Sequence, residues 1–289
     1  MDSTNTNTEQ IKLDLSLLND GELSLLKSQT GIEDMEALTK HVEDVTSRAH
    51  KVFGYQYLTS MTFLKSKFAA LPVIYKHVLE VGKSRQDALF LDIGCGLGHD
   101  TRKLVWDGYP AQNVIASDLF PEFWTLGHEL FKSTPESFPV LFIPGDAFDD
   151  NFIPVDSKPS TTKPSTASLA SSKSLAPLQG HVSFIHASAL FHLFQEEKQV
   201  QLAKKLASLL SPAPGSVIFG LHRGLPEAGE VVNGRGETIY LHSAETWKKL
   251  WVGEEGSVFS KGEVEVEVNT LEIPFRGKFH ALLWSVKRL

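Results

Sequence analysis

Cysteine is almost absent from this chain: Cys95 is the single thiol among 289 residues. An intramolecular disulfide is therefore excluded, and no CxxC pair or Cys/His cluster offers a metal site. Long apolar runs are also missing. Nowhere do eighteen apolar residues follow one another, so no membrane-crossing helix is predicted. Met1 to Ile11 carry neither an apolar signal core nor an Arg-rich presequence, and the expected setting is reducing and cytoplasmic. Clustered positive charge is the third absence. The 28 Lys and Arg are scattered and outnumbered by 35 Asp and Glu, for a net charge of −7. That balance argues against an extended phosphate-binding surface and so against a nucleic-acid partner.

What is present suffices for a sizeable core, since 42% of the residues are hydrophobic. Residues 12–83 show helical spacing of apolar side chains, as in Leu13, Leu15, Leu17 and Leu18, then Leu23, Leu25 and Leu26. Asp34 to Ala49 and Tyr57 to Val81 repeat the pattern. The reading is an N-terminal helical segment over residues 1–83, serving as a lid, followed by a second domain over 84–289. From residue 88 short apolar runs alternate with amphipathic stretches, the pattern of βαβ units and a parallel sheet. Strands are predicted over 88–93, 113–117, 140–144, 182–186 and 216–221, with helices over 99–107, 121–132 and 195–210. Two further strands, 264–273 and 279–286, are joined by Pro274, Arg276 and Gly277 without room for a crossover helix, so they must form an antiparallel hairpin. The predicted architecture is α/β and Rossmann-like, a mostly parallel seven-stranded sheet ending in that hairpin. Residues 155–180 are rich in Ser, Thr, Lys, Pro and Ala, and are predicted to be a flexible surface insertion.

The stretch richest in chemistry is Leu89-Phe-Leu-Asp-Ile-Gly-Cys-Gly-Leu-Gly98. An apolar strand runs into a turn holding Gly94, Gly96 and Gly98, with Cys95 as a small residue that fits between them. Glycine permits unusual backbone angles and close approach of a ligand. The spacing is GxGxG, and Asp92 stands two positions before the first glycine, where its carboxylate would face a positively charged group rather than a pyrophosphate. Asp118 ends the second strand and is placed to accept hydrogen bonds from two ribose hydroxyls, with Leu119 beside it. Its plain structural alternative is an N-cap for the helix near Pro121. The third strand ends in Gly145-Asp146-Ala147-Phe148, where the carboxylate suits an adenine amino group and the apolar neighbours suit its ring. Loop capping is the alternative for Asp146. Three strand ends carrying acids and glycines in this order form a joint signal for a nucleoside-bearing cofactor.

LDIGCGLGHDTRKLVWDG, ASDLFPEFWTLGHELF, HASALFHLF, LLSPAPGSVIFG and the N-terminal LKSQTGIEDMEALTKHV resemble the fungal class I methyltransferases of secondary-metabolite clusters, including those that act on meroterpenoids. The resemblance implies the class I fold, S-adenosylmethionine as methyl donor and a small secondary metabolite as acceptor. It also implies that Asp92, Gly94, Gly96, Asp118, Asp146 and His186 line the donor site, to which the spacing adds Cys95, Gly98, Leu119, Ala147, Phe148 and Ala187. Acceptors are expected at the carboxyl ends of the strands. Candidates there are His186-Ala-Ser188, Phe191-His192 and His222-Arg223, with Tyr57 of the N-terminal segment as part of an aromatic lid. His192 is the candidate general base for a hydroxyl acceptor, and Arg223 the candidate partner of an anionic one. O-methylation of a carboxylate or hydroxyl is the favoured reading. An NAD(P)-dependent oxidoreductase and a non-catalytic cofactor-binding regulator are the alternatives.

Overall fold

The computed structural model describes residues 11–155, 162–253, 257–274 and 278–289. Leu89–Ile93 (β1) is buried at all five positions, as are Val182–His186 (β4) and the four positions of Val114–Ser117 (β2). Uninterrupted apolar runs of this kind belong to strands covered on both faces. They form the middle of a seven-stranded sheet with Leu141–Phe142 (β3), Val217–Arg223 (β5), Val264–Pro274 (β8) and Lys278–Arg288 (β9), in the order β3-β2-β1-β4-β5-β9-β8. The first five strands run parallel and the last two antiparallel, as the sequence predicts. Asp92 of β1 stands in register with His186 of β4 at the centre, where the strand order reverses. Arg276 and Gly277, expected in the final turn, lie outside the described residues. A separate hairpin, Gly229–Val232 (β6) with Thr238–Leu241 (β7), was not anticipated from the sequence.

The helices are α1 (Asp20–Thr30), α2 (Met35–Val52), α3 (Gln56–Thr59), α4 (Pro72–Ser84), α5 (His99–Trp106), α6 (Pro121–Leu130), α7 (Thr166–Leu169), α8 (Glu196–Leu209) and α9 (Ala244–Trp251). Asp34 caps α2 by accepting from the Ala37 N–H, and Leu38, Val42, Val45 and Ala49 make its fully buried face. The continuous helix expected over Tyr57 to Val81 is instead broken. Met61 adopts a left-handed φ of 57°, and Pro72, which has no N–H to give, opens α4.

The chain divides into two compact units: Met1–Ser66, Gly96–His99 and Phe120–Pro139 in one, and Lys67–Cys95, Asp100–Leu119 and Val140–Leu289 in the other. This corrects the boundary at residue 83. Helix α6 joins the N-terminal unit because Phe123, Leu126 and Leu130 share a core with Leu38, Val42 and Val45, whereas α4 belongs with the sheet. The insertion is corrected too. Within 162–180, Leu169, Leu175 and Leu178 are buried in the sheet unit's core, and the Ser165 hydroxyl caps α7. Three buried leucines supply the apolar contact that the Ser/Thr composition concealed.

Close main-chain packing at the carboxyl end of β5 yields a prediction. A Cβ on Gly220 would lie 2.6 Å from the Ala187 carbonyl oxygen and 2.8 Å from its carbon, neither of which is a movable side chain. Gly220→Ala is expected to lower unfolding free energy by about 1–3 kcal/mol. Urea unfolding measures this, and a wild-type midpoint would contradict it.

Candidate active site

In the sheet unit, the carboxyl ends of β1, β2 and β3 are tied by main-chain hydrogen bonds. The N–H groups of Gly94 and Cys95 both donate to the Ser117 carbonyl, at 2.8 and 3.2 Å, and the Gly145 N–H donates to the Asp118 carbonyl at 3.0 Å. Gly94, at φ 71°, is exposed, and a Cβ there would press on Leu190 Cδ1 at 3.2 Å. Only glycine gives this turn its open, approachable backbone. Burial, then the charges of Asp118 and Asp92, push the Cys95 thiol well up, so it stays protonated and both carboxylates lie within electrostatic reach of the turn.

Asp118 is half-buried and Leu119 is 53% exposed beside it. The N-cap of α6 is Phe120, which makes no side-chain cap, so capping is not the work of Asp118. Asp146 is exposed and its Oδ1 accepts from the Phe148 N–H at 2.8 Å, so the loop-capping role is realised there. Ala147 and Phe148 are half-buried, and one face of Phe148 carries the Lys198 ammonium at 4.5 Å while Phe194 meets the ring edge-on. Gly96 and Gly98, at φ 55° and 73°, fall in the other unit, where the Tyr57 hydroxyl would lie 2.7 Å from a Cβ on Gly96.

Asp92 is placed differently from expectation. It is 3% exposed, with Oδ2 accepting from the Thr101 hydroxyl at 2.5 Å and Oδ1 facing His186 Nδ1 at 2.9 Å. The other nitrogen of His186 meets the Ser188 hydroxyl at 2.7 Å, and Ser188 Oγ accepts from the Leu221 N–H at 3.1 Å. Both Asp92 and His186 are thus committed to protein partners behind the strand ends instead of facing outward. Ala187 is buried, and its N–H donates to Phe219. Thr101 and Ser188 were not singled out as partners of Asp92 and His186 because nothing local in the sequence marks a pairing across 94 residues.

Among the acceptor candidates, Phe191 is corrected outright. It is fully buried, with Trp247 and Trp284 edge-on at 4.9 and 5.7 Å, and serves the core. His192 is half-buried with an enclosed Nδ1, and burial, then the Arg223 charge, push its ring down to about 4. Arg223 is half-buried, and no ion pair to it exists among the described residues. His222 and His242, which carry no assigned role in the sequence, are buried around Trp247. Trp284 Nε1–H donates to His222 Nδ1 at 3.0 Å. Among the described residues no group of three His, Cys, Asp or Glu could hold a metal, and no helix is long and apolar enough to cross a membrane.

Against this geometry, the family model described as the meroterpenoid methyltransferase N-terminal domain matches residues 11–64. The O-methyltransferase phiE of a fungal species is 31% identical over 80% of this chain and 70% of its own length. The chain belongs to the fungal secondary-metabolite methyltransferases. Methyltransferase adrK of Penicillium roqueforti is another relative, 29% identical over 82% of this chain and 77% of its own. Among solved structures, a SAM-dependent methyltransferase from Methanosarcina mazei shares 16% identity and a TM-score of 0.45, covering 71% of this chain and 94% of that one. With the strand order 3-2-1-4-5-7-6 of the class I fold, this family membership makes S-adenosylmethionine the methyl donor and a metabolite its acceptor.

Proposed function

We propose that the chain is a cytoplasmic O-methyltransferase acting on a small, largely apolar metabolite, with the donor held at the carboxyl ends of β1, β2 and β3. The observation that carries this reading is the main-chain lacing of those three strand ends, which brings the open turn at Gly94 beside the half-buried Asp118 carboxylate. The donor, when bound, supplies an electrophilic methyl group on a sulfonium. Asp118 is positioned for the two ribose hydroxyls, Leu119, Ala147 and Phe148 for the adenine ring, and Asp146 for the adenine amino group. Lys198 must leave the face of Phe148 if that ring is to stack on adenine. Oxygen is favoured as the acceptor atom by the O-methyltransferase name of phiE. Arg223 at the end of β5 supplies positive charge toward a carboxylate or a developing oxyanion.

Calorimetric titration with S-adenosylhomocysteine tests the donor site. We expect binding by the wild-type chain, none of NADH, and a loss of about 1.5–3 kcal/mol, roughly 10- to 100-fold, in Asp118→Ala. A folded wild-type protein that ignores S-adenosylhomocysteine would refute the site.

A further inference from the structure

A hydroxyl oxygen becomes a competent nucleophile only as its proton leaves, so an acceptor of that class requires a base within hydrogen-bond reach. His192 is poorly suited, because a ring pushed down to about 4 has little appetite for a proton at neutral pH. A different set of groups is arranged for the task. The Leu221 main-chain N–H can only donate, so Ser188 Oγ must accept it. The Ser188 hydrogen is then directed at His186 Nε2, which leaves the neutral ring's proton on Nδ1, facing Asp92 Oδ1. Thr101 donates to the remaining carboxylate oxygen. One backbone N–H therefore sets the direction of every hydrogen bond from β5 back to β1. An acid orienting an imidazole that in turn contacts a hydroxyl is the arrangement by which hydroxyl groups are activated on unrelated folds.

The position of this chain of groups matters as much as its connectivity. Asp92 and His186 are 3% and 2% exposed, whereas Ser188, the outer member, is half-buried. The next residue, Ala189, holds a left-handed φ of 53°, a strained conformation for a residue with a side chain. Leu190 follows, against the Gly94 turn. Ser188 thus stands at the switch point of the sheet, within two residues of the side chain that borders the open glycine.

We infer that Asp92, His186 and Ser188 form a proton relay for the methyl acceptor, and that the acceptor is accordingly a hydroxyl compound of the phenol class. The inference rests on the donor lying against Gly94 and Asp118. In the step, the acceptor O–H bond breaks and its proton passes to Ser188 Oγ while the Ser188 hydrogen moves to His186 Nε2. The imidazolium formed is paired with the Asp92 carboxylate. The electron pair left on the acceptor oxygen forms the new bond to the methyl carbon, the carbon–sulfur pair stays on sulfur, and the relayed proton returns through Ser188 to water.

The test uses 4-nitrophenol as probe, whose phenolate absorbs in the visible, added to the full chain with saturating S-adenosylhomocysteine. The bound probe is expected to ionise about one pH unit lower than in buffer, a tenfold change in ionised fraction. Ser188→Ala should abolish that shift while keeping S-adenosylhomocysteine affinity within about twofold. Histidine nitrogen NMR of the wild-type chain should place the His186 proton on Nδ1. A bound but unshifted probe, no probe binding at millimolar concentration, a shift retained in Ser188→Ala, or a His186 proton on Nε2 would each overturn the relay. Failure of S-adenosylhomocysteine to bind would condemn the donor site separately, and the probe shift measured without it would still decide the relay.

Discussion

Asp92→Ala is expected to lower unfolding free energy by about 3–5 kcal/mol, the largest effect of any single substitution considered, although the residue touches no ligand in the sheet's interior. Removing the carboxylate leaves the Thr101 hydroxyl and His186 Nδ1–H without acceptors in a site where water has little access. The damage then spreads, because an untethered His186 no longer fixes Ser188, and Ser188 holds the Leu221 N–H of β5. Three neighbouring strands lose their polar link at once. Asp92→Asn keeps the shape and one acceptor oxygen but turns a donor toward a donor, so a smaller loss of about 1–2 kcal/mol is expected. Urea unfolding followed by tryptophan fluorescence measures both. If the alanine variant unfolds within about 0.5 kcal/mol of wild type, the buried network contributes nothing to stability.

The sheet was legible because its signals are local. Apolar runs at 88–93 and 182–186 state burial on both faces, and the short link between the last two runs forces a hairpin. The glycine turn and Asp118 were legible for the same reason, since strand, turn and acid lie within thirty residues. Long-range pairings were not. Asp92 looks like an outward-facing ligand until His186 is seen to occupy one of its oxygens, and Phe191 looks like a pocket residue until Trp247 and Trp284 enclose it. The Ser/Thr-rich segment misled because composition averages over Leu169, Leu175 and Leu178, which alone decide whether it docks. The β6–β7 hairpin did carry a usable signal, an Asn233-Gly234 pair between two apolar strands, of the type that marks tight turns.

Acidification is expected to destabilise the fold steeply between pH 6.5 and 4, and the reason lies in the histidines around Trp247. Burial pushes His242 down to about 4 and, together with the Arg223 charge, does the same to His192; burial, then His192 and His242, push His222 well below the usual range. In the unfolded chain each ring titrates near 6.5. Between the two values the unfolded state binds more protons, so stability must fall as pH drops, while above pH 6.5 the rings are neutral in both states and contribute nothing. By pH 5 the loss is about 2 kcal/mol for each of His192 and His242, with His222 acting in the same direction. Unfolding by urea at pH 7, 6 and 5 should therefore show a decline of about 4 kcal/mol or more. Tryptophan emission is a suitable reporter, since Trp247, Trp251 and Trp284 are all buried beside these rings. His242→Gln keeps a polar side chain near Thr246 but cannot titrate, and should remove about one proton from the slope. A stability that stays flat from pH 7 to 5, or a slope unchanged in His242→Gln, would show that these imidazoles are not held neutral by the fold.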